Sequence, residues 1–192
     1  MIPLVPLYDL SYSARVCAAA MRQRIAVIVN VDSGPGRKLD PEWNVLIAAL
    51  RKAKAYVFGY IATRRRTQAQ VNADVKAWAA YGVTSFFYDE YRASALRLAA
   101  ASSSIANPGC PIASPCAYTI IWESNAYGFS RHFPTIGASV MALGYKDFTL
   151  ALSLAKSRGI SLFYATDLPD GPRVYDRLPS YFDQMLAEIA KR

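Results

Sequence analysis

Eight short apolar runs, most of them without polar alternation, constrain this chain more than any other feature. They fall at Ile2–Tyr8, Ile25–Asn30, Tyr56–Ile61, Val83–Tyr88, Ser104–Asn107, Tyr118–Trp122, Val140–Gly144 and Ile160–Ala165. A strand with one wet face alternates in polarity. A continuous run is the mark of a strand covered on both faces, as in a parallel sheet walled by helices. Helical stripes lie between the runs. Asp40-Pro41 reads as an N-cap with proline at the first helical position, after which Trp43, Ile47 and Leu50 share a face. Val71, Val75 and Trp78 form a second stripe, and Phe148, Leu152 and Ala155 a third, closed by Gly159. The last helix opens at Leu178-Pro179-Ser180 and aligns Phe182, Met185 and Ile189.

Strands alternating with helices give an α/β fold, and eight of them in 192 residues fit a single compact (β/α)8 TIM-type barrel spanning residues 1–192. Such barrels usually take about 250 residues, so this one is expected to be trimmed in the fifth and sixth helical connections. Pro111–Ala117 leaves little room for a helix there, and Ser124–Gly137 carries two glycines and a proline. An open flavodoxin-like sheet is the alternative if Ser104–Asn107 and Val140–Gly144 are not strands. No repeat, low-complexity tract or interdomain linker divides the chain.

Composition narrows the chemistry. With 53% apolar residues the chain is too hydrophobic to be disordered. One histidine and three cysteines cannot assemble a zinc-type ligand set, so no metal and no cofactor is expected. No apolar run reaches the length of a membrane helix, and no signal peptide is visible at Met1-Ile2-Pro3-Leu4. The formal charge of +8 favours acidic partners, but no reading helix or aromatic sheet accompanies Arg64–Arg66, so nucleic acid is not expected. Cys110 and Cys116 flank a proline-containing loop, as a disulfide in an exported protein or as free thiols in the cytoplasm. Cys17 lies in an alanine-rich helix and is expected to be buried. His132 is alone, with no nucleophile motif pointing to it. Ser33-Gly34-Pro35-Gly36 lacks the Lys-Ser/Thr of a phosphate-binding loop and reads as a rigid turn.

The fourteen acidic residues are informatively placed. Asp9, Asp32, Asp89, Glu90, Glu123 and Asp167 all lie at or near the C-terminal ends of expected strands, the end of a barrel that builds active sites. Asp40 and Asp147 read as helix caps, Glu188 as part of an exposed helix face, and Asp9 too can serve only as a cap. The strand Val83–Tyr88 runs straight into Asp89-Glu90, whose side chains must point to opposite sides. A second apolar strand ends at Trp122-Glu123. One carboxylate from each strand would give the pair that glycoside hydrolysis needs, one to protonate the leaving oxygen and one to attack or to activate water. Tyr8, Tyr60, Tyr88, Trp122, Tyr127 and Phe129 lie near the same ends, where aromatic rings can stack on sugars. Tyr60, Trp122 and Tyr127 are the candidate sugar platforms, with Asn107 and Asp32 as hydrogen-bonding partners.

Taken in order along the chain, several segments resemble the spherulin-4 family. They are Met1-Ile2-Pro3-Leu4, Ile28-Val29-Asn30-Val31-Asp32-Ser33-Gly34-Pro35-Gly36, Gly59-Tyr60-Ile61-Ala62-Thr63 and Val71-Asn72-Ala73-Asp74-Val75. Phe86-Phe87-Tyr88-Asp89-Glu90, Asn107-Pro108-Gly109, Trp122-Glu123, Ala165-Thr166-Asp167 and Leu178-Pro179-Ser180-Tyr181-Phe182 complete the set. The resemblance implies a TIM-type barrel related to endo-acting α-galactosaminidases, with a hexosamine polysaccharide or oligosaccharide as substrate. It implies Asp89 as nucleophile and Glu123 as acid/base of a retaining reaction, with Glu90 beside them, and Asp167 among the substrate-binding residues. It also implies a secreted or cell-surface protein, a cytoplasmic one being the alternative. Arg64–Arg66 stands where the family tends to have an aromatic-glycine turn. A non-catalytic carbohydrate-binding or cell-surface protein on the same barrel is the competing expectation.

Overall fold

The computed structural model describes residues 1–91, 104–108, 119–125 and 139–191, with the backbone alone for 119–122. Each of the eight apolar runs forms a strand. They are β1 (Ile2–Leu7), β2 (Ala26–Val29), β3 (Tyr56–Ala62), β4 (Ser85–Asp89), β5 (Ser104–Ala106), β6 (Thr119–Asn125), β7 (Ser139–Leu143) and β8 (Leu162–Ala165). All pair in parallel with their sequence neighbours. β8 returns to β1 through Ile2↔Leu162 and Pro3↔Phe163, so the strand order curls round on itself in a TIM-like arrangement. The β5–β6 and β8–β1 seams are only two residue pairs long each.

Helices cover the sheet where the stripes fell. These are α1 (Ser13–Arg22), α2 (Pro41–Lys52), α3 (Gln68–Ala80), α4 (Thr149–Ser157) and α5 (Phe182–Ala190). Five α-helices among the described residues fall short of the eight of a full (β/α)8 repeat. The connections expected to be trimmed, 111–117 and most of 124–137, lie largely outside the described residues, as do Cys110, Cys116, Tyr127, Phe129 and His132. None of the five helices is long and apolar enough to cross a membrane.

Burial on both faces explains the continuous runs. All four residues of β2 have no exposed surface, because one face meets the barrel interior and the other the helices. Asp40 caps α2, accepting from the Glu42 and Trp43 N–H groups at 2.9 and 3.1 Å. Thr67 and Gln70 close a reciprocal capping box on α3. Two expectations fail here. Ser180 does not open α5. The helix begins at Phe182, and the Ser180 N–H goes instead to Asp167 at 3.1 Å. Cys17 is half-buried rather than buried, because it lies at the margin of the core-facing stripe formed by Val16, Ala19 and Ala20.

Gly59 permits a close approach between helix and sheet. A methyl group there would stand 2.7 Å from the Trp78 ring, so only glycine lets α3 seat that indole against β3. The fully buried Trp78 then donates its Nε1–H to the Tyr60 carbonyl at 3.0 Å. The helix thereby fixes the residue whose side chain points to the other face of the sheet, into the barrel mouth.

Candidate active site

In a parallel sheet every C-terminal strand end lies on the same rim. Asp9, Asp32, Asp89, Glu123 and Asp167 accordingly sit there, but their surroundings separate them. Asp9 accepts from the Ser11 N–H at 2.7 Å and caps a single 3₁₀ turn. Asp32 is exposed in the β2–α2 loop, where Ser33 and Gly34 adopt positive φ. Asp167 forms a two-point ion pair with Arg177, at 3.2 and 3.0 Å. Desolvation opposes its ionisation, but the Arg177 and Ser180 hydrogen bonds outweigh it and hold its carboxyl below the usual range. Asp167 thus ties the β8–α5 loop to the start of α5.

Asp89 and Glu123 meet. Asn107, immediately after β5, donates its carboxamide Nδ2 to Asp89 Oδ1 at 2.9 Å and to Glu123 Oε2 at 2.6 Å. Two such contacts to one nitrogen cap the separation of those oxygens at 5.5 Å. Asn107 is itself buried and held at its backbone, donating to Tyr88 O and accepting from Tyr91 N. The remaining carboxylate oxygens take phenols. The Tyr60 hydroxyl donates to Asp89 Oδ2 at 2.7 Å, and the Tyr175 hydroxyl donates to Glu123 Oε1.

Glu90 shows how the adjacent acids divide. It turns left-handed, with φ of 51°, a strained state for a residue with a Cβ. That turn aims its N–H back at Asp89 Oδ1, 2.9 Å away, and sends its carboxylate outward to Arg64 at 3.0 Å. Glu90 therefore supports Asp89 through its backbone while its side chain lies on the exposed rim. Of the arginine run, Arg64 takes Glu90 and Arg66 takes Asp74 at 2.5 Å.

Burial dominates the electrostatics. It pushes the Asp89 carboxyl above the ordinary carboxylate value, against the pull of the Tyr60, Glu90 and Asn107 hydrogen bonds and with help from the Glu90 charge. Burial and the Asp89 charge push Glu123 up, against the Tyr175 and Asn107 hydrogen bonds. The phenols of Tyr60 and Tyr175 rise for the same reasons, burial first and then the facing carboxylates. Both therefore stay protonated donors.

The Tyr60 ring stacks on Phe87 at 6.0 Å and meets Tyr8 edge-on at 5.7 Å, while its hydroxyl faces Asp89. The Trp122 side chain and Tyr127 lie outside the described residues. Sequence reasoning missed Tyr175. It sits in the Pro/Gly-bearing loop between β8 and α5, with no periodicity to mark it. The loop delivers it through the Asp167–Arg177 pair and through Tyr12, whose hydroxyl donates to the Tyr175 carbonyl at 2.9 Å.

Fold and site together define a TIM-like α/β protein with a desolvated carboxylate pair, bridged by a carboxamide, at the C-terminal mouth of its sheet. The model of the spherulation-specific family 4, Spherulin4, matches residues 5–114. That is more than half of the 192 residues, and the chain belongs to this family. The matched stretch holds Tyr8, Tyr60, Asp89, Glu90 and Asn107 and ends before Glu123, Asp167 and Tyr175. No curated protein and no solved structure matches the chain.

Proposed function

We propose that the protein is a glycoside hydrolase that cuts within a polysaccharide with retention of configuration. Asp89 is the nucleophile and Glu123 the acid/base. The observation that carries this reading is the bridge through Asn107. With Asp89 Oδ1 and Glu123 Oε2 no more than 5.5 Å apart, the pair is close-set, which suits retention, at about 5–5.5 Å between carboxyl groups, better than inversion, at about 6.5–9.5 Å.

The electrostatics fit a division of labour. Glu123, raised by burial and by the charge of Asp89, holds a proton for the leaving oxygen. Asp89 ionises first, because Tyr60, Asn107 and the Glu90 N–H all donate to its charged form. Asp89 attacks the anomeric carbon as Glu123 gives its proton to the departing oxygen. Water then enters, Glu123 takes a proton from it, and the glycosyl–Asp89 bond breaks. Glu90 contributes through its backbone and rim carboxylate. By resemblance to the relatives of the family, the substrate is a hexosamine polysaccharide, with Asp32 and Asp167 on the rim beside the bound chain.

The test is to follow the anomer first released from a panel of N-acetylated, deacetylated, neutral and uronate-bearing polysaccharides by proton NMR. Product of the same configuration as the cleaved bond supports the reading, and the opposite anomer overturns the assignment of Asp89 as nucleophile. Saccharide binding without cleavage across the panel would turn the protein into a non-catalytic carbohydrate-binding member of its family.

A further inference from the structure

Among the described residues, every polar side chain on the floor of the site is committed to another except one. Asp89, Glu123, Asn107, Tyr60 and Tyr175 are joined by hydrogen bonds. Tyr8, just beyond the end of β1, stands among them. Its backbone N–H is fixed by the Tyr12 hydroxyl at 2.9 Å. Its ring meets Tyr60 edge-on at 5.7 Å and Tyr175 at 5.1 Å, the two phenols that serve Asp89 and Glu123. Its own hydroxyl makes no hydrogen bond among the described residues, although the side chain is half-buried against the core. Burial first, and then the charges of both Asp89 and Glu123, drive this phenol well above its ordinary value, so it remains a donor at any working pH.

We propose that Tyr8 is a third substrate-touching group of the site, whose hydroxyl donates a hydrogen bond to a hydroxyl or ring oxygen of the sugar lying between Asp89 and Glu123. The proposal rests on the reading of this mouth as a saccharide site. It does not require turnover. The sugar oxygen completes a phenol donor that its neighbours at the mouth leave open, while the edge-on rings of Tyr60 and Tyr175 hold that phenol in place.

Tyr8→Phe keeps the ring and its contacts and removes only the donor. Its binding to N-acetylhexosamine, hexosamine, hexose and uronate oligomers is measured by calorimetry in the Glu123→Gln background, and kcat/KM is measured in the wild-type background. The expected result is a loss of about tenfold in affinity and in kcat/KM, the scale of one hydrogen bond, with unchanged thermal stability and unmoved limbs of the pH profile. Unchanged affinity and rate would overturn the proposal, as would a loss accompanied by displaced pH limbs, which would mean that Tyr8 acts by positioning the carboxylates. Failure of every oligomer to bind would overturn it too. If oligomers bind, weaken with Tyr8→Phe and are never cleaved, Tyr8 keeps its role and the hydrolase reading falls. If cleavage depends on Asp89 and Glu123 while Tyr8→Phe behaves as wild type, the reverse holds.

Discussion

Asp89 and Glu123 share one carboxamide and yet are held by different kinds of structure. Asp89 ends β4 and takes its donors from near neighbours: Tyr60 on β3, Asn107 after β5 and the N–H of Glu90. Backbone ladders position all three, and all lie within the family match. Glu123 on β6 takes Tyr175 from a loop 52 residues further along. That loop is fastened by side chains, chiefly Asp167–Arg177, Tyr12 to the Tyr175 carbonyl, and Tyr181 to the Tyr145 carbonyl at 2.8 Å. Strand ladders open only with the core, whereas loop fastenings open locally at lower cost. The Asp89 side of the site is therefore the more firmly held one, and the Glu123 side is where tuning and variation can enter.

The strongest way to break this comparison is to remove each carboxylate. Asp89→Asn should lower kcat by at least about 10⁴-fold on every substrate, as losses of a nucleophile do. Glu123→Gln should cost about 10²–10⁴-fold on natural glycosides and far less on 4-nitrophenyl glycosides, whose leaving group needs no proton. Equal losses on both substrate types would show that the two residues do not divide the work.

Removing the phenols sharpens it. Each phenol stabilises the charged form of its carboxylate, so its loss raises that carboxylate's pKa. Tyr60→Phe should move the acidic limb of kcat/KM to higher pH, since Asp89 must ionise to attack. Tyr175→Phe should move the alkaline limb to higher pH, since Glu123 must keep its proton. A variant that shifts both limbs alike would mean that the pair titrates as a unit, in which neither residue owns a limb.

A smaller effect lies in stability. Asp89 and Glu123 have folded pKa values above their unfolded ones, so their contribution is full below the unfolded values and is lost as pH rises through the folded ones. Glu123→Gln should therefore raise Tm at neutral pH by a few degrees, about 2–4 °C per kcal/mol in a chain of this size, and the gain should vanish in acid, as calorimetry at both pH values would show. Smallest of all, Arg177→Ala removes a half-exposed partner of Asp167 and should cost about 1 kcal/mol or less. If the loop is the adjustable element, that variant should shift the alkaline limb more than it shifts Tm.

Much of this was legible in residue order. The eight apolar runs are strands because a segment without polar alternation must be buried on both faces, and that requirement survives any detail of packing. Asp40 was legible as a cap because proline follows it at the first helical position, and the places of Asp89 and Glu123 were legible because each follows an apolar run toward the end of its strand. Asp89-Glu90 had to split across the sheet, and it does. The Asp167 contacts to Arg177 and Ser180 were not legible, because those partners lie 10 and 13 residues further along in a loop without periodicity.

What the sequence determined by itself is therefore what depends on local periodicity: the strand count, the parallel α/β class, the caps of α2 and α3, and the rim on which the acids gather. What only the tertiary structure decided is what depends on distant side chains meeting. Asn107 between two carboxylates, Tyr175 on Glu123, Gly59 making room for Trp78 and the open hydroxyl of Tyr8 all join residues far apart in the chain. Nothing in their immediate sequence encodes the partner. Each contact exists because the curled sheet brings its strand ends to one mouth, where burial forces every polar group there to find another or to wait for a ligand.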